Sequence, residues 1–310
     1  MENFADRLIA AIETKGTPAC VGIDPVYELI PAEITRCAKE PCAAGARAAC
    51  VMAFHEEIIE IVAPHVPAVK PQVAFYEMMG AAGMAAYADA LRRAAQKGLI
   101  VIGDVKRGDI GSTAQAYAAA HLGEIPPHVH DQLFVADAIT VNPYLGSDGV
   151  KPFIEAARRS GRGIFVLVKT SNKSSGEFQD LVAGDSELFV KVAGKVNEWG
   201  TQPGLIGSRG YSCVGAVVGA TYPEQAARLR ELMPAAYFLV PGYGAQGGSA
   251  KDVAPCFNPD GLGAIVNSAR GIIYAWTRSP YKERFGEARW RDAVEAAVKD
   301  MVADLMRNEE

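Results

Sequence analysis

The sequence lacks the features typical of membrane, secreted and nucleic-acid-binding proteins. The uncharged run from Gly210 to Pro223 is too short and too rich in glycine to span a bilayer, and the acidic N-terminus has no apolar segment typical of a signal peptide. A net charge of −5 leaves no excess of basic residues for nonspecific binding of nucleic acid. We therefore expect a cytoplasmic protein that binds neither membranes nor nucleic acids.

The cysteines and histidines also lack a pairing or metal-binding pattern. The six cysteines occupy positions 20, 37, 42, 50, 213 and 256, with no Cys-x-x-Cys pair and no nearby histidine at metal-ligand spacing. This pattern predicts reduced, mostly structural thiols, as in cytosolic proteins. His121, His128 and His130 have no metal-ligand partners at known spacing, so we expect surface or packing roles for them.

The chain has no internal repeat and no low-complexity linker, so no boundary between two domains is evident. Its 310 residues would suffice for two ordinary domains, and 49% hydrophobic residues can form a large core. Eight short apolar runs alternate with helical sequence, at 18–24, 66–75, 98–103, 137–142, 163–168, 214–221, 237–242 and 261–270. This alternation predicts an α/β fold, a (β/α)8 TIM barrel, as a single domain over 1–310 with an N-terminal helix and a C-terminal helix over 286–306.

The stretch from 101 to 113 carries charges that burial of a strand does not explain. Asp104 and Lys106 follow an apolar run and stand two residues apart, so on an extended backbone both side chains leave on the same face. Asp109 lies just beyond, and Asp24 and Lys70 end the first two predicted strands. Because barrel active sites lie at the C-terminal strand ends, these residues form a candidate site. The alternative is a solvated strand end with a surface ion pair.

The string Asp104-Val-Lys106-Arg-Gly-Asp109-Ile110-Gly-Ser-Thr113 resembles the Asp-x-Lys-x-x-Asp-Ile-x-x-Thr signature of the orotidine 5′-phosphate decarboxylases. The loop Pro-Gly-Tyr-Gly-Ala-Gln-Gly-Gly at 241–248 and the following Arg270 resemble the phosphate site of the same family. The positions that match the family's motifs extend from Asp24 to Arg270. Insertions near 34–48, 123–134 and 172–209 resemble the long bacterial subgroup.

The resemblance implies decarboxylation of orotidine 5′-monophosphate (OMP) to UMP, in de novo pyrimidine biosynthesis, without a cofactor or metal ion. Loss of CO2 leaves electron density on a ring carbon, which a fixed ammonium close to that carbon stabilises and then protonates. Lys106 is the candidate for this role, with Asp104 beside the departing carboxylate. The family assigns Lys70 and Asp109 to ribose contacts and charge networking, and it assigns Asp24 to the ribose.

The resemblance also implies a homodimer with shared active sites and a loop that closes over the phosphate. In the family, Asp109, Ile110 and Thr113 reach into the site of the neighbouring subunit. Without this role, Ile110 and Thr113 belong to the first turn of the next helix, with Thr113 as a capping residue.

The remaining family assignments concern the phosphate and the base. Gln246 corresponds to a glutamine that contacts the phosphate and the pyrimidine side, and Arg270 is suited to bidentate phosphate binding. Ser171 corresponds to the serine that reads the base, although the string Lys169-Thr-Ser-Asn departs from the Glu-Met-Ser of many members. Tyr243 either packs on the ligand or is exposed.

The sequence also allows three other interpretations. The spacing Gly242-x-Gly244-x-x-Gly247 matches the dinucleotide fingerprint, but it lies near the end of the chain and lacks the ribose-binding acid on the next strand. Related barrel enzymes that act on sugar phosphates, such as keto-gulonate-phosphate decarboxylase and hexulose-phosphate synthase, use Mg2+ and need a carboxylate where this chain has Lys70. A noncatalytic binder of nucleotide phosphates would have no need for Lys106.

Overall fold

The computed structural model describes residues 1–36, 44–123, 134–244 and 248–306, and within them eight parallel strands form a closed barrel. The strands are β1 (Ala19–Ile23), β2 (Ala68–Pro71), β3 (Ile100–Arg107), β4 (Ala138–Val141), β5 (Gly163–Lys169), β6 (Ser212–Val218), β7 (Ala236–Pro241) and β8 (Ala264–Ser268). Each strand pairs with the next, and β8 pairs with β1. The predicted (β/α)8 TIM barrel is confirmed, because each predicted apolar run overlaps one strand.

The longer helices surround this barrel. They are α1 (Phe4–Lys15), α2 (Ala44–Val62), α3 (Gly80–Gln96), α4 (Gly111–Leu122), α5 (Ser147–Ser160), α6 (Leu188–Gly200), α7 (Pro223–Leu232) and α8 (Trp290–Met306). The first helix begins at Phe4 because the Asn3 side chain accepts the N–H of Ala5 at 2.8 Å. The last one begins at Trp290, four residues later than predicted, after a short 3-10 turn at Glu287–Arg289.

The barrel strands are buried on both faces, as expected of parallel strands covered by helices. Every residue of β1, β4, β6 and β8 is buried. Their apolar side chains belong to one continuous hydrophobic core. The barrel interior is therefore packed with side chains and is not a pore.

Helix α1 lies across the N-terminal ends of β4 and β5. The ring of Phe4 meets that of Phe165 edge-on, with 5.8 Å between ring centroids. A Cβ atom at Gly163, the first residue of β5, would lie 2.2 Å from the Phe4 ring, so only glycine fits there. Arg7 reaches Asp137, just before β4, with 2.5 Å between Nη1 and Oδ1. Helix α1 is therefore fixed against the beginnings of β4 and β5.

The polar sequence over about 175–199 predicts a long helical segment, but the segment between β5 and α6 also contains two short strands. A two-stranded antiparallel hairpin, Val182–Ala183 with Ser186–Glu187, precedes α6. Its turn is made by Gly184 and Asp185, and Gly184 has a φ of 78°, which favours glycine. A Gly-Asp pair between two short runs is a hairpin signal that the polar composition of the segment concealed.

The structure also locates several residues that were given packing roles. Cys20, Cys213 and Cys256 are buried, and burial raises their thiol pKa values to about 12, 11 and 12. His121 is 3% exposed and packs against Phe134, whereas His128, His130, Cys37 and Cys42 lie outside the described residues. In the described part of the chain, no helix is both long and apolar enough to cross a membrane.

Candidate active site

Asp104 is the centre of a charged group at the C-terminal ends of β2, β3 and β4. Its Oδ2 lies 2.7 Å from Nζ of Lys70, and its Oδ1 lies 2.5 Å from Nζ of Lys106. The Gln72 amide donates a bond of 2.8 Å to Oδ2, and the Thr140 hydroxyl donates one of 2.9 Å to Oδ1. Because Asp104 is only 7% exposed, the interpretation as a solvated strand end with a surface ion pair is wrong.

The backbone of Lys106 has an unusual conformation, with a φ of 44° in a region that residues other than glycine rarely adopt. The Thr140 hydroxyl accepts the N–H of Val105 at 3.0 Å and that of Lys106 at 2.9 Å. The register of β3 against β4 shifts at this point. The same hydroxyl therefore supports the backbone of Lys106 and the carboxylate to which the Lys106 ammonium binds.

Charge pairing outweighs burial in setting the pKa values of this group. Burial alone would raise the pKa of Asp104, but the ammonium groups of Lys70 and Lys106 bring it far below its usual range. Burial would likewise lower the pKa of Lys70, yet the carboxylates of Asp104 and Asp24 raise it above its ordinary value. Asp104 and Lys70 are therefore both ionised at neutral pH.

Asp24 follows β1 and acts electrostatically on the same group. Burial, together with the charge of Asp104, raises the pKa of its carboxyl, while the cations Lys70, Arg270 and Lys106 oppose this shift. Its Oδ1 atom is buried and has no hydrogen-bond partner among the described residues. Since an unsatisfied buried acceptor is costly, this oxygen is suited to accept a hydrogen bond from a ligand hydroxyl.

Asp109, Ile110 and Thr113 lie beyond β3, outside this group. The Asp109 carboxylate accepts the N–H of Ile110 at 2.8 Å, and no contact with Lys106 is found in the part of the chain that the structure describes. Ile110 is 56% exposed, and Thr113 is exposed on the first turn of α4. The predicted capping role of Thr113 is wrong, because α4 begins at Gly111 and its N-cap residue is Ile110.

A glycine-containing loop follows β7, as the sequence indicated. Gly242 and Gly244 have φ values of 100° and 72°, and the Gly244 N–H donates to the Gly248 carbonyl at 2.8 Å, which closes the loop. Gln246 lies outside the described residues. The hydroxyl of Tyr243 donates a bond of 2.5 Å to Asp304 of α8, so this side chain is half-buried and anchored.

Arg270 lies directly beyond β8, at the start of the short helix Arg270–Ile273, and its side chain is exposed. The neighbouring Ser268 hydroxyl donates a bond of 3.5 Å to the Tyr243 carbonyl and so joins the end of β8 to the glycine loop. The structure therefore brings Arg270 and the glycine loop to the same edge of the barrel. Loops after the seventh and eighth strands are the usual phosphate site of barrels.

Ser171 is half-buried, two residues beyond β5. A Cβ atom at Gly219, just beyond β6, would lie 3.0 Å from N, Cα and Cβ of Ser171, so the backbone at Gly219 approaches the serine closely. Lys169, which departs from the family string, is fully buried, and its Nζ lies 2.5 Å from Oδ1 of Asp180. This departure therefore places a buried lysine, paired with the 40% exposed Asp180, beside Ser171.

Two contacts of Asp104 were missed by the sequence reasoning. Gln72 follows Lys70 at the two-residue spacing that also relates Asp104 to Lys106, so the same argument would have found it. Thr140 lies within the four-residue strand β4 and had no comparable signal. Its contact depends on how β4 lies against β3.

The charged group is poorly suited to a divalent cation. Both oxygens of Asp104 are bonded to ammonium groups, and Lys70 stands where the Mg2+-dependent sugar-phosphate enzymes need a carboxylate. Among residues 1–36, 44–123, 134–244 and 248–306, no three His, Cys, Asp or Glu side chains are grouped so that they could hold a metal ion.

The structure places a charged group at the ends of the first strands and a glycine loop at the ends of the last ones. This combination is typical of barrel enzymes that act on a phosphorylated ligand. The family model described as "Orotidine 5'-phosphate decarboxylase / HUMPS family" matches residues 19–279, and the chain belongs to this family. The family that the two sequence motifs indicated is therefore confirmed.

Individual relatives agree with this assignment. An orotidine 5′-phosphate decarboxylase of Rhodopirellula baltica is 46% identical over 305 residues, covering 98% of this chain and 99% of the relative. One of Caldicellulosiruptor bescii is 46% identical over 279 residues, covering 89% and 91%. The structure of OMP decarboxylase from Leishmania donovani is similar, with a TM-score of 0.74, 31% identity and coverage of 99% of both chains.

Proposed function

We propose that this chain decarboxylates OMP to UMP and CO2, in de novo pyrimidine biosynthesis, without a cofactor. Membership of the family and relatives named orotidine 5′-phosphate decarboxylase over nearly the whole chain support this activity. The observation that carries the proposal is the contact of Asp104 with both Lys70 and Lys106 at the strand ends. This array provides fixed positive charge beside a buried carboxylate, as a decarboxylation without an electron-withdrawing cofactor requires.

Lys106 carries the chemical step in this proposal. The bond between ring carbon C6 and the carboxylate carbon breaks, CO2 leaves, and the electron pair remains on C6. The Lys106 ammonium stabilises this pair and transfers a proton to C6, which forms the C–H bond of UMP. The neutral amine then recovers a proton from solvent. The contact with Asp104 and the backbone bond to Thr140 fix where the ammonium stands.

The other residues hold the substrate. Asp104 lies beside the departing carboxylate and keeps Lys106 in place, while Lys70, Asp109 and Asp24 contact the ribose and balance charge. The unpartnered oxygen of Asp24 supports this role, since a ribose hydroxyl would supply the missing donor. Ser171 reads the pyrimidine base, and Gln246 and Arg270 bind the phosphate.

We further propose a cytoplasmic homodimer, with one domain over 1–310 in each subunit. Each subunit supplies Asp109, Ile110 and Thr113 to the site of the other. Ile110, Tyr144 and Leu145 are 56%, 81% and 50% exposed. A Cβ atom at Gly149 would lie 3.0 Å from the Asp109 carbonyl and 3.2 Å from Leu145, so this apolar surface lies beside Asp109. Adjacent exposed apolar residues are typical of an interaction surface.

The first test is the loss of OMP absorbance with EDTA-treated protein, for the wild type, Lys106→Ala and Lys299→Ala. Lys299 is a matched control, because its Nζ lies 2.6 Å from Glu295 and its side chain is 54% exposed, against 48% for Lys106. We expect wild type and Lys299→Ala to turn over OMP, and Lys106→Ala to lose at least about a thousandfold in kcat.

Each other outcome has a definite meaning. A folded wild type without turnover would overturn the proposed activity. Turnover that EDTA abolishes would favour Mg2+-dependent chemistry, as in the sugar-phosphate enzymes. A noncatalytic binder would bind UMP equally in wild type and Lys106→Ala, with no turnover in any of the three proteins.

A further inference from the structure

The insertion between β5 and α6 is attached to the end of β5 through two consecutive residues, Gln179 and Asp180. The Gln179 side chain accepts the N–H of Thr170 at 3.0 Å and donates to the Thr170 hydroxyl at 2.8 Å. Oδ1 of Asp180 lies 2.5 Å from Nζ of Lys169. Gln179 and Asp180 therefore hold Thr170 and Lys169, the two residues that precede Ser171.

The ion pair is unusual because the lysine is completely buried. Lys169 is 0% exposed, and its Nζ lies 4.7 Å from the centre of the Tyr222 ring and 5.5 Å from that of Phe189. A buried ammonium group is costly without a carboxylate partner, and Asp180 supplies one. The carbonyl of Lys169 also accepts the N–H of Gly219 at 2.8 Å. Lys169 is therefore fixed at both its backbone and its side chain.

Ser171 lies between this attachment and the neighbouring strand. On one side, Gly219 comes so close that a Cβ atom there would lie 3.0 Å from the serine backbone. On the other side, Gln179 holds the N–H and the hydroxyl of the preceding residue, Thr170. The Thr170 hydroxyl in turn donates a bond of 2.6 Å to Asn172, the residue after Ser171. Both neighbours of the serine are therefore held.

We propose that Gln179 and Asp180 are positioning residues that hold Ser171 in the conformation in which it recognises the pyrimidine base. The inference rests on the proposed function, in which Ser171 reads the base, and it gives the insertion a role in substrate specificity. A segment that is ordered before the ligand arrives loses less conformational entropy on binding. Loosening the attachment therefore weakens recognition of the base and leaves recognition of ribose and phosphate intact.

The test compares two competitive inhibitors, UMP and ribose 5-phosphate, which differ by the base. Gln179→Leu removes both bonds to Thr170 and keeps a similar volume. We expect the inhibition constant of UMP to rise about tenfold, as lost hydrogen bonds of this kind imply, and that of ribose 5-phosphate to stay within about twofold. Gln179→Glu still accepts the N–H of Thr170 but no longer donates to its hydroxyl, so it should recover part of the affinity for UMP.

Asp185→Asn is the matched control. Asp185 belongs to the same insertion and also forms an ion pair with a lysine, at 2.9 Å from Nζ of Lys191, but that lysine lies on α6 and not on β5. We expect both inhibition constants to stay within about twofold of wild type. Asp180→Asn, by contrast, should follow Gln179→Leu in weakening UMP selectively.

The outcomes separate this inference from the proposed function. If wild type turns over OMP and Gln179→Leu binds UMP as wild type does, the inference alone is wrong. An equal loss for both inhibitors would also overturn it, because a general loosening of the site does not depend on the base. If wild type binds no UMP, both proposals fail. Should Gln179→Leu not fold, Thr170→Val removes the hydroxyl partner alone and should weaken UMP about threefold.

Discussion

The hydroxyl of Thr140 donates a hydrogen bond of 2.9 Å to Oδ1 of Asp104, and so connects β4 to the carboxylate at the centre of the site. The same oxygen accepts the N–H groups of Val105 and Lys106. Thr140 is only 1% exposed, so water cannot readily replace these bonds. Three polar groups of the site therefore depend on one side chain.

Thr140→Val should reduce both stability and activity. The substitution keeps the shape but removes the hydroxyl, which leaves two N–H groups and a carboxylate oxygen without this partner. We expect the free energy of unfolding, from urea denaturation, to fall by about 2 to 4 kcal/mol. We expect kcat to fall about a hundredfold, because the φ of 44° at Lys106 loses its support and the ammonium shifts. Thr140→Ser keeps the hydroxyl and should lose less than about tenfold; a Val variant equal to wild type would contradict the assignment.

Asp104 and Lys70 should stabilise the fold over a broad pH range. The pKa of Asp104 is lowered, so its contribution is complete above the ordinary value of 3.8 and is lost as the pH falls through the lowered one. The pKa of Lys70 is raised, so its contribution is complete below 10.5 and is lost as the pH rises through the raised value. Asp104→Asn should therefore lower the free energy of unfolding by about 3 to 5 kcal/mol, with little change between about pH 5 and pH 9.

A surface carboxylate provides the comparison for Asp104→Asn. Asp292 accepts a bond of 2.6 Å from Arg289, and both side chains are about half exposed, at 49% and 60%. Asp292→Asn should change the free energy of unfolding by less than about 1 kcal/mol in the same urea titrations. Similar losses in the two variants would show that the Asp104 group is not the buried network described above.

Asp24→Asn should stabilise the fold and weaken the binding of UMP. Burial raises the pKa of this carboxyl, so the folded state holds the proton more tightly than the unfolded chain. Stability therefore falls as the pH rises through the ordinary value of 3.8 towards the raised one, and the cost is complete above it. We expect a higher urea midpoint than wild type at pH 7, no such gain at about pH 3, and an affinity for UMP about tenfold lower. A lower midpoint at pH 7 would refute this account.

Mixed dimers test whether sites are shared between subunits. If Asp109 acts in the neighbouring site, a dimer of one Lys106→Ala and one Asp109→Ala subunit contains one site with both native residues. Equal mixing at random makes half of the dimers mixed, so about a quarter of wild-type turnover should return. Each variant alone serves as the control. If mixing restored no activity after subunit exchange, measured by separating tagged subunits, Asp109 would act in its own subunit.

Local patterns predicted the barrel and part of the site. Eight apolar runs indicated eight strands, and the two-residue spacing of Asp104 and Lys106 indicated that their side chains would meet, which they do at 2.5 Å. Lys70 was predicted at the end of β2 and contacts the same carboxylate. These features depend on the period of a strand and on the order of elements along the chain, both of which are present in the sequence.

The parts that were missed depend on how separate segments meet. Thr140 serves Asp104 because β3 shifts its register against β4, and no local pattern states that shift. Lys169 was noted only as a departure from the family string, whereas its pairing with Asp180 depends on the path of the insertion between them. The predicted cap at Thr113 was wrong because α4 begins at Gly111, two residues earlier.

The position of α1 at the N-terminal ends of the strands limits the routes by which a ligand can reach and leave the site. Phe4 and Phe165 pack together at the N-terminal strand ends, and the strands enclose packed side chains, so the described residues leave no tunnel through the barrel. In the proposed reaction, the nucleotide therefore enters and leaves by the rim at the C-terminal strand ends. Carbon dioxide released beside Asp104 would have to leave by the same rim, past the nucleotide from which it came.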